Sequence, residues 1–269
     1  MIIDFHTHIF PEKIAQKTID ALAVSSSSTP YTNGTISGII SHMEKSGVDV
    51  SVSLPVLTKP TQFDSVVAFA MEINEIFKDK ERKIISFAGI HPKCEDIKGK
   101  MALIKKRGFL GVKIHPDYQD TYIDDQGYID ILNEAKTNDL IVVTHSGVDD
   151  GYKGKPVKCP PNLVSKVIDK TGHKKFVLAH YGGNRLYDDV LKYICGKDVY
   201  IDTAYTFPHI EERYFREILK RHGEDRILFA TDSPWQDMKN NICALKSFNL
   251  GKEIEDKIFY KNALKLLNL

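Results

Sequence analysis

The chain begins MIIDFHTHIF, and two imidazoles, His6 and His8, stand one residue apart where that apolar run ends. Farther along, other apolar runs also end on ionisable side chains: His91, Lys113 with His115, His145, His180 and Asp232. Imidazole nitrogens and carboxylate oxygens are the usual ligands of a zinc-type ion. Residues two apart on a strand point the same way, so His6 and His8 share one face. If that face is the inside of a barrel, the pair is a compact two-nitrogen clamp. His-x-His alone is a weak motif, and a lone strand-end histidine is more often a hydrogen-bonded structural residue. His42, His91 and His173 are read as structural in that sense. The pair combined with His145, His180 and Asp232, at three further strand ends, reads as a metal site.

Such a set can converge only if the strands form a ring. Eight short β-branched runs recur: 2–8, 48–54, 83–91, 110–116, 140–146, 175–181, 199–205 and 226–233. They are continuously apolar rather than alternating, as parallel strands covered on both faces should be. Helical spacing is legible between them at 35–46, 62–78, 96–107, 128–138, 161–171, 185–195, 211–222 and 239–248, with a tail at 252–268 expected to pack outside. Several of these end at a glycine, a normal helix stop. Eight βα units predict one α/β domain over 1–269, a (β/α)8 TIM-type barrel. A doubly wound open sheet is the alternative, weakened because no glycine-rich phosphate loop follows the first strand. Active sites of such barrels lie at the C-terminal strand ends, where the imidazoles fall. The stretches 25–35 and 147–161 read as loops on that face, able to cover a pocket.

Composition narrows the function. Lys plus Arg number 37 and Asp plus Glu 36, for a formal charge of +1. Nucleic-acid binding through many phosphates normally shows a basic excess, so no nucleic-acid partner is expected. Four cysteines with no CxxC pair read as free thiols. No signal peptide and no apolar run near the roughly 20 residues of a spanning helix are evident. The expectation is a cytoplasmic protein with a small-molecule substrate, no membrane association, and a homo-oligomeric state left open.

The segments HTH, THSG, AHYGG and ATDSPW together resemble the amidohydrolase superfamily over nearly the whole chain. The closer similarity is to its amidohydrolase-related branch, which holds aminocarboxymuconate semialdehyde decarboxylase and several lactone hydrolases. The resemblance implies that His6, His8, His145 and Asp232 hold a first divalent metal, with zinc the preferred ion. It implies that His180 is either a ligand of a second metal or an acid/base beside a single one. Lys113 stands where binuclear members carry a bridging ligand. It is read as a carboxylated lysine bridging two ions, with an ammonium contacting a substrate carboxylate as the alternative.

The chemistry expected first is hydrolysis of an amide, lactone or ester by a metal-activated water, with Asp232 and His180 as the catalytic residues. Nonoxidative decarboxylation of a small unsaturated or aromatic acid is the alternative, favoured by a single metal. A TatD-like phosphodiesterase or nuclease and a noncatalytic metal-binding barrel rank lower. Arg185 is a candidate clamp for a substrate carboxylate, or else one half of a surface ion pair. Trp235 and His115 are expected to contact substrate, and Phe10, Tyr181 and Tyr205 are candidate pocket walls. Asp202 is read as structural, or as orienting a ligand imidazole.

Overall fold

In the computed structural model, which describes residues 1–269, the eight apolar runs are parallel strands. They are β1 Ile3–Thr7, β2 Val50–Ser53, β3 Lys83–Ser86 resumed after Phe87 by Ala88–Gly89, β4 Gly111–Ile114, β5 Ile141–Thr144, β6 Phe176–Leu178, β7 Tyr200–Asp202 and β8 Ile227–Leu228. Each pairs with its neighbours in chain order. At the β3 interruption the Phe87 N–H donates to Ser53 O at 2.9 Å, while Ala88 and Gly89 pair with Val112 and Lys113. Between last and first strands, the Phe5 N–H donates to Phe229 O at 2.9 Å and the His8 N–H to Ser233 O at 2.7 Å. Thr7 also bridges Ser233 in parallel, so the ring closes and the predicted (β/α)8 barrel is the fold.

The alternation of strand side chains divides the core in two. Ile3, Phe5, Val52, Val143, Val177 and Leu228 fill the barrel interior. Val112, Ile114, Val142 and Leu178 face outward, against helices that present Tyr128, Leu132, Val164 and Val167. The helices Ile36–Ser46, Phe63–Phe77, Ile97–Lys106, Gln126–Thr137, Pro161–Thr171, Tyr187–Tyr193, Glu212–His222 and Met238–Ser247 stand close to their predicted places. Thr35 caps the first of these by accepting the Gly38 N–H at 3.1 Å. No helix is long and apolar enough to cross a membrane, and all four cysteines are free.

Two elements depart from the sequence reading. The tail does not simply pack outside: Ala263, Leu266 and Leu267 join the barrel-interior cluster beside Ile3 and Phe5. Three apolar residues within one helical stretch supply the face that closes that end. A helix, Glu12–Ser26, also precedes the first expected one, and it runs into the predicted 25–35 loop. Its pattern is faint in sequence because only Ala15 and Ile19 are fully buried.

Candidate active site

The first strand delivers its imidazoles through a bulge. Asp4 is opposite Ser51 and Thr7 opposite Ser53, so Phe5 and His6 together face the single residue Val52. The extra residue lets Phe5 fill the interior while His6 and His8 both reach the site above it. Asp4 holds the bulge: its Oδ1 accepts the N–H groups of His6 at 3.2 Å and of Thr231 at 3.0 Å. The Thr231 hydroxyl donates to Asp4 Oδ2. The Asp232 N–H donates to His6 O at 2.9 Å, which sets the Asp232 carboxylate beside both imidazoles.

Each imidazole is oriented by an acceptor behind it. His6 Nδ1 lies 2.9 Å from Asp202 Oδ2, His8 Nδ1 is 3.0 Å from Leu54 O, and His180 Nδ1 is 2.9 Å from Ala204 O. Each Nδ1 therefore carries the proton and donates, leaving a lone pair on Nε2. The His8 lone pair lies 3.0 Å from Asp232 Oδ1, and that of His6 lies 3.4 Å from the same oxygen. His180 Nε2 lies 2.9 Å from His145 Nδ1. His145 Nδ1 can carry a proton and donate to His180 Nε2, whereas the His6 and His8 lone pairs both face the Asp232 carboxylate, a contact that a cation among them would relieve. His6, His8 and Asp232 thus form a donor set of the kind that holds a divalent ion.

Burial sets the charge states. It pushes the His6 and His145 imidazoles well below their usual range and His180 down to about 4, with the nearby Lys113 cation acting in the same direction. For Asp232, burial works upward, but the cationic surroundings, Lys113 among them, hold it below the usual carboxylate range. Burial raises Asp202, opposed by Lys113 and by the N–H groups of His180 and Ala204. Lys113 itself is lowered to about 8 by burial, opposed by Asp202 and Asp232. Its Nζ lies 3.0 Å from His6 Nε2.

Two site residues occupy the left-handed backbone region, His180 at φ 58° and Asp232 at φ 66°. Such conformations cost on the order of 1–3 kcal/mol each and persist where surrounding structure imposes them. Here Asp202 Oδ1 accepts the His180 N–H at 3.0 Å. Gly147, at φ 88°, allows the loops after β5 and β6 to touch: a Cβ there would sit 2.1 Å from Asn184 N.

A second group of donors, His115, His145 and Asp149, lies beside the first. His115 Nε2 is 3.4 Å from Asp149 Oδ2. His145 Nε2 and Asp117 Oδ2 are buried without hydrogen-bond partners, 3.8 Å apart. The His115 and His145 rings stack at 4.4 Å with 16° between planes. Their ligand atoms lie close together, but imidazole lone pairs lie in the ring plane, and two nearly parallel rings are poorly placed to share one ion.

The cavity above this floor has a volume of about 520 Å3 and includes His6, His8, His145, His180, Asp232 and Lys113 in its lining. Trp235, His115, Phe10 and Tyr205 also line it. Arg185 does not: its guanidinium donates to Asp150 Oδ2 at 2.8 Å, the ion-pair arrangement rather than a place on the cavity wall. Tyr181 belongs to the core, stacked on Phe215 at 4.7 Å and 11°. His42 is outside the cavity lining, 3.0 Å from Asp237 Oδ2 and 3.3 Å from Ser233 Oγ, and His91 Nδ1 accepts the Lys93 N–H. Sequence reasoning did not single out Asp4, Asp117, Tyr118, Asp149 or Asp150. The Asp149–Asp150 pair in the loop after THSG was the available signal for the last two.

The amidohydrolase family model matches residues 3–269, and the chain belongs to that family of enzymes. A search of curated proteins finds no match. Among solved structures, the chain is similar to 5-carboxyvanillate decarboxylase from Novosphingobium aromaticivorans, complexed with manganese and 4-hydroxy-3-methoxy-5-nitrobenzoic acid. That match has a TM-score of 0.72 and 14% identity, covering 100% of this chain and 96% of the other. It is similar to 2,6-dihydroxybenzoate decarboxylase from Rhizobium, with a TM-score of 0.70, 15% identity and coverage of 99% and 98%. A third is described as a probable 2-pyrone-4,6-dicarboxylic acid hydrolase from Acinetobacter baumannii, with citric acid bound, at TM-score 0.69, 15% identity and coverage of 100% and 99%. Identities this low establish a shared fold and nothing finer.

Proposed function

We propose that this enzyme is a divalent-metal-dependent, nonoxidative decarboxylase of a small aromatic or unsaturated acid. The observation that carries the reading is the single convergent donor set. His6 Nε2, His8 Nε2 and Asp232 Oδ1 lie close together, whereas the adjacent His115 and His145 rings stack in parallel. One ion rather than a bridged pair favours decarboxylation over hydrolysis. This reverses the order expected from sequence, where hydrolysis ranked first. Two of the three fold relatives are decarboxylases, and one was crystallised with manganese. Manganese therefore stands beside zinc as the ion to test.

The bound ion would supply an electrophile that anchors substrate oxygens and draws electron density from them. The protein's own groups do the rest. Lys113, the one lysine or arginine in the cavity lining, sits on the floor where it would pair with a substrate carboxylate. Phe10 and Trp235 provide an apolar wall that disfavours a full carboxylate charge relative to neutral carbon dioxide. As the C–C bond breaks, its electron pair remains on the substrate carbon, which must take a proton. His180 lines the cavity with Nδ1 donating to Ala204 O and Nε2 2.9 Å from His145 Nδ1, and it is the group that would accept a proton from a substrate hydroxyl and return it to that carbon. Asp232 and His180 thus keep the catalytic assignments made from sequence. Lys113 is assigned as an amine rather than a carboxylated bridge.

Hydrolysis is the second reading, favoured by the fold relative described as a probable hydrolase. The test is turnover by manganese-loaded and zinc-loaded enzyme on hydroxybenzoates and on lactones. Carbon dioxide release that is lost in His180→Gln supports the proposal. Lactone opening without any carbon dioxide release overturns it.

A further inference from the structure

One helix lines the cavity above its floor. Ile14, Thr18, Leu22 and Ser26 line the cavity from helix Glu12–Ser26, and they are spaced four apart. That spacing is one face of a helix, and from Ile14 to Ser26 it extends about 18 Å at 1.5 Å per residue. Val66 and Phe69, from helix Phe63–Phe77, also line the cavity. These walls are apolar, interrupted by hydroxyls of Thr18, Ser26, Thr58 and Ser65. A cavity of about 520 Å3 lies in the range that encloses drug-sized ligands, well beyond a single substituted ring.

The charges are one-sided. Apart from the histidines, Lys113 on the floor is the only cationic side chain in the lining, against Asp149, Asp150 and Asp232. Arg185 is committed to Asp150. A second anionic group on a ligand would find no free lysine or arginine above the floor, and it would face Asp149 beside an Asp150 whose cation is already taken. Burying such a charge without a partner is strongly unfavourable.

Building on the proposed decarboxylase reading, we infer that the substrate carries one carboxylate and an uncharged, largely apolar tail that lies along the Ile14–Thr18–Leu22–Ser26 face. Dicarboxylic acids are excluded. Neutral oxygen atoms in the tail are accommodated by the wall hydroxyls.

The test reads binding rather than turnover. Manganese-loaded protein is titrated calorimetrically with 2-hydroxybenzoate, 4-butoxy-2-hydroxybenzoate and 4-(3-carboxypropoxy)-2-hydroxybenzoate. The butoxy compound should bind at least tenfold more tightly than the parent ring, and the acid-tailed compound no more tightly than the parent. Leu22→Arg, on a half-buried helix position, should exchange the order of the two tailed compounds. A butoxy tail that gives no gain in wild-type protein, or an acid tail that binds as tightly as the butoxy, overturns the inference without recourse to the variant. Tail preference without carbon dioxide release from any compound would sink the decarboxylase reading and still support this one.

Discussion

Asp202→Asn isolates how the floor is built. The Asp202 side chain has no solvent exposure, and it accepts three donors: the His180 and Ala204 N–H groups at 3.0 Å through Oδ1, and His6 Nδ1 at 2.9 Å through Oδ2. An asparagine keeps a carbonyl oxygen for the two backbone donors, so the β6 and β7 ends stay in place. Its amide N–H2 replaces the oxygen that faces His6. Nδ1 must then accept, and the ring proton moves to Nε2, the atom whose lone pair points into the donor set. A hydrogen bond to a charged group is worth about 1.5–3 kcal/mol. Loss of such a partner behind a ligating imidazole typically weakens metal binding by about 10–100-fold, or roughly 1.4–2.7 kcal/mol. The two ranges agree, and a 10–100-fold rise in the manganese dissociation constant is expected. Calorimetric titration of the metal-free protein measures it, with the metal-free melting temperature reporting that the fold survives. A folded variant that binds manganese as tightly as wild type would remove His6 Nε2 from the donor set and refute the tautomer reasoning.

Four other outcomes are expected. Lys113→Ala should leave one metal equivalent per chain in elemental analysis; a drop from two equivalents to one would restore the carboxylated bridge. Chelation should lower the melting temperature by about 5–10 °C relative to protein with metal at a hundred times its dissociation constant, from about 2.7 kcal/mol of linkage at roughly 2–4 °C per kcal/mol. Gly147→Ala should destabilise the protein by about 2–4 kcal/mol in urea, since the new Cβ meets the Asn184 backbone and the left-handed conformation is strained; a change under about 0.5 kcal/mol would contradict the packing. Burial holds His173 and His222 down to about 4. Above pH 6.5 these two rings are neutral folded or unfolded; from 6.5 down to 4 the unfolded chain takes up protons the fold refuses, and stability falls by roughly 3 kcal/mol per ring. The His173→Gln, His222→Gln double variant should reduce the acid slope, leaving the part due to the buried site histidines, and an unchanged slope would dismiss the assignment.

The barrel was legible because eight β-branched runs alternate with helical patterns, and the strand-end imidazoles mark which end carries the site. His6, His8, His145, His180 and Asp232 line one cavity once the ring closes, but only His6, His8 and Asp232 form one donor group, and His145 falls with His115 and Asp149 instead. The bulge was not legible: from IIDFHTH alone, strict alternation would put Phe5 and His6 on opposite faces, and only pairing with β2 reveals the extra residue. Helix Glu12–Ser26 escaped because its cavity-facing stripe mixes apolar and hydroxyl side chains, diluting the helical signal. The role of Arg185 depended on where its partner Asp150 falls, thirty-five positions earlier in the chain. Asp4 looked like an ordinary polar residue in a strand, since its partner Thr231 lies at the far end of the sequence.

The segment Glu12–Ser26 is an insert between a barrel strand and the helix that normally answers it. Reaction and selection are thereby carried on separable stretches of chain. Grafting another sequence onto this one excursion would retune substrate choice while leaving the imidazoles beneath it untouched, which makes it the natural cassette for redesign.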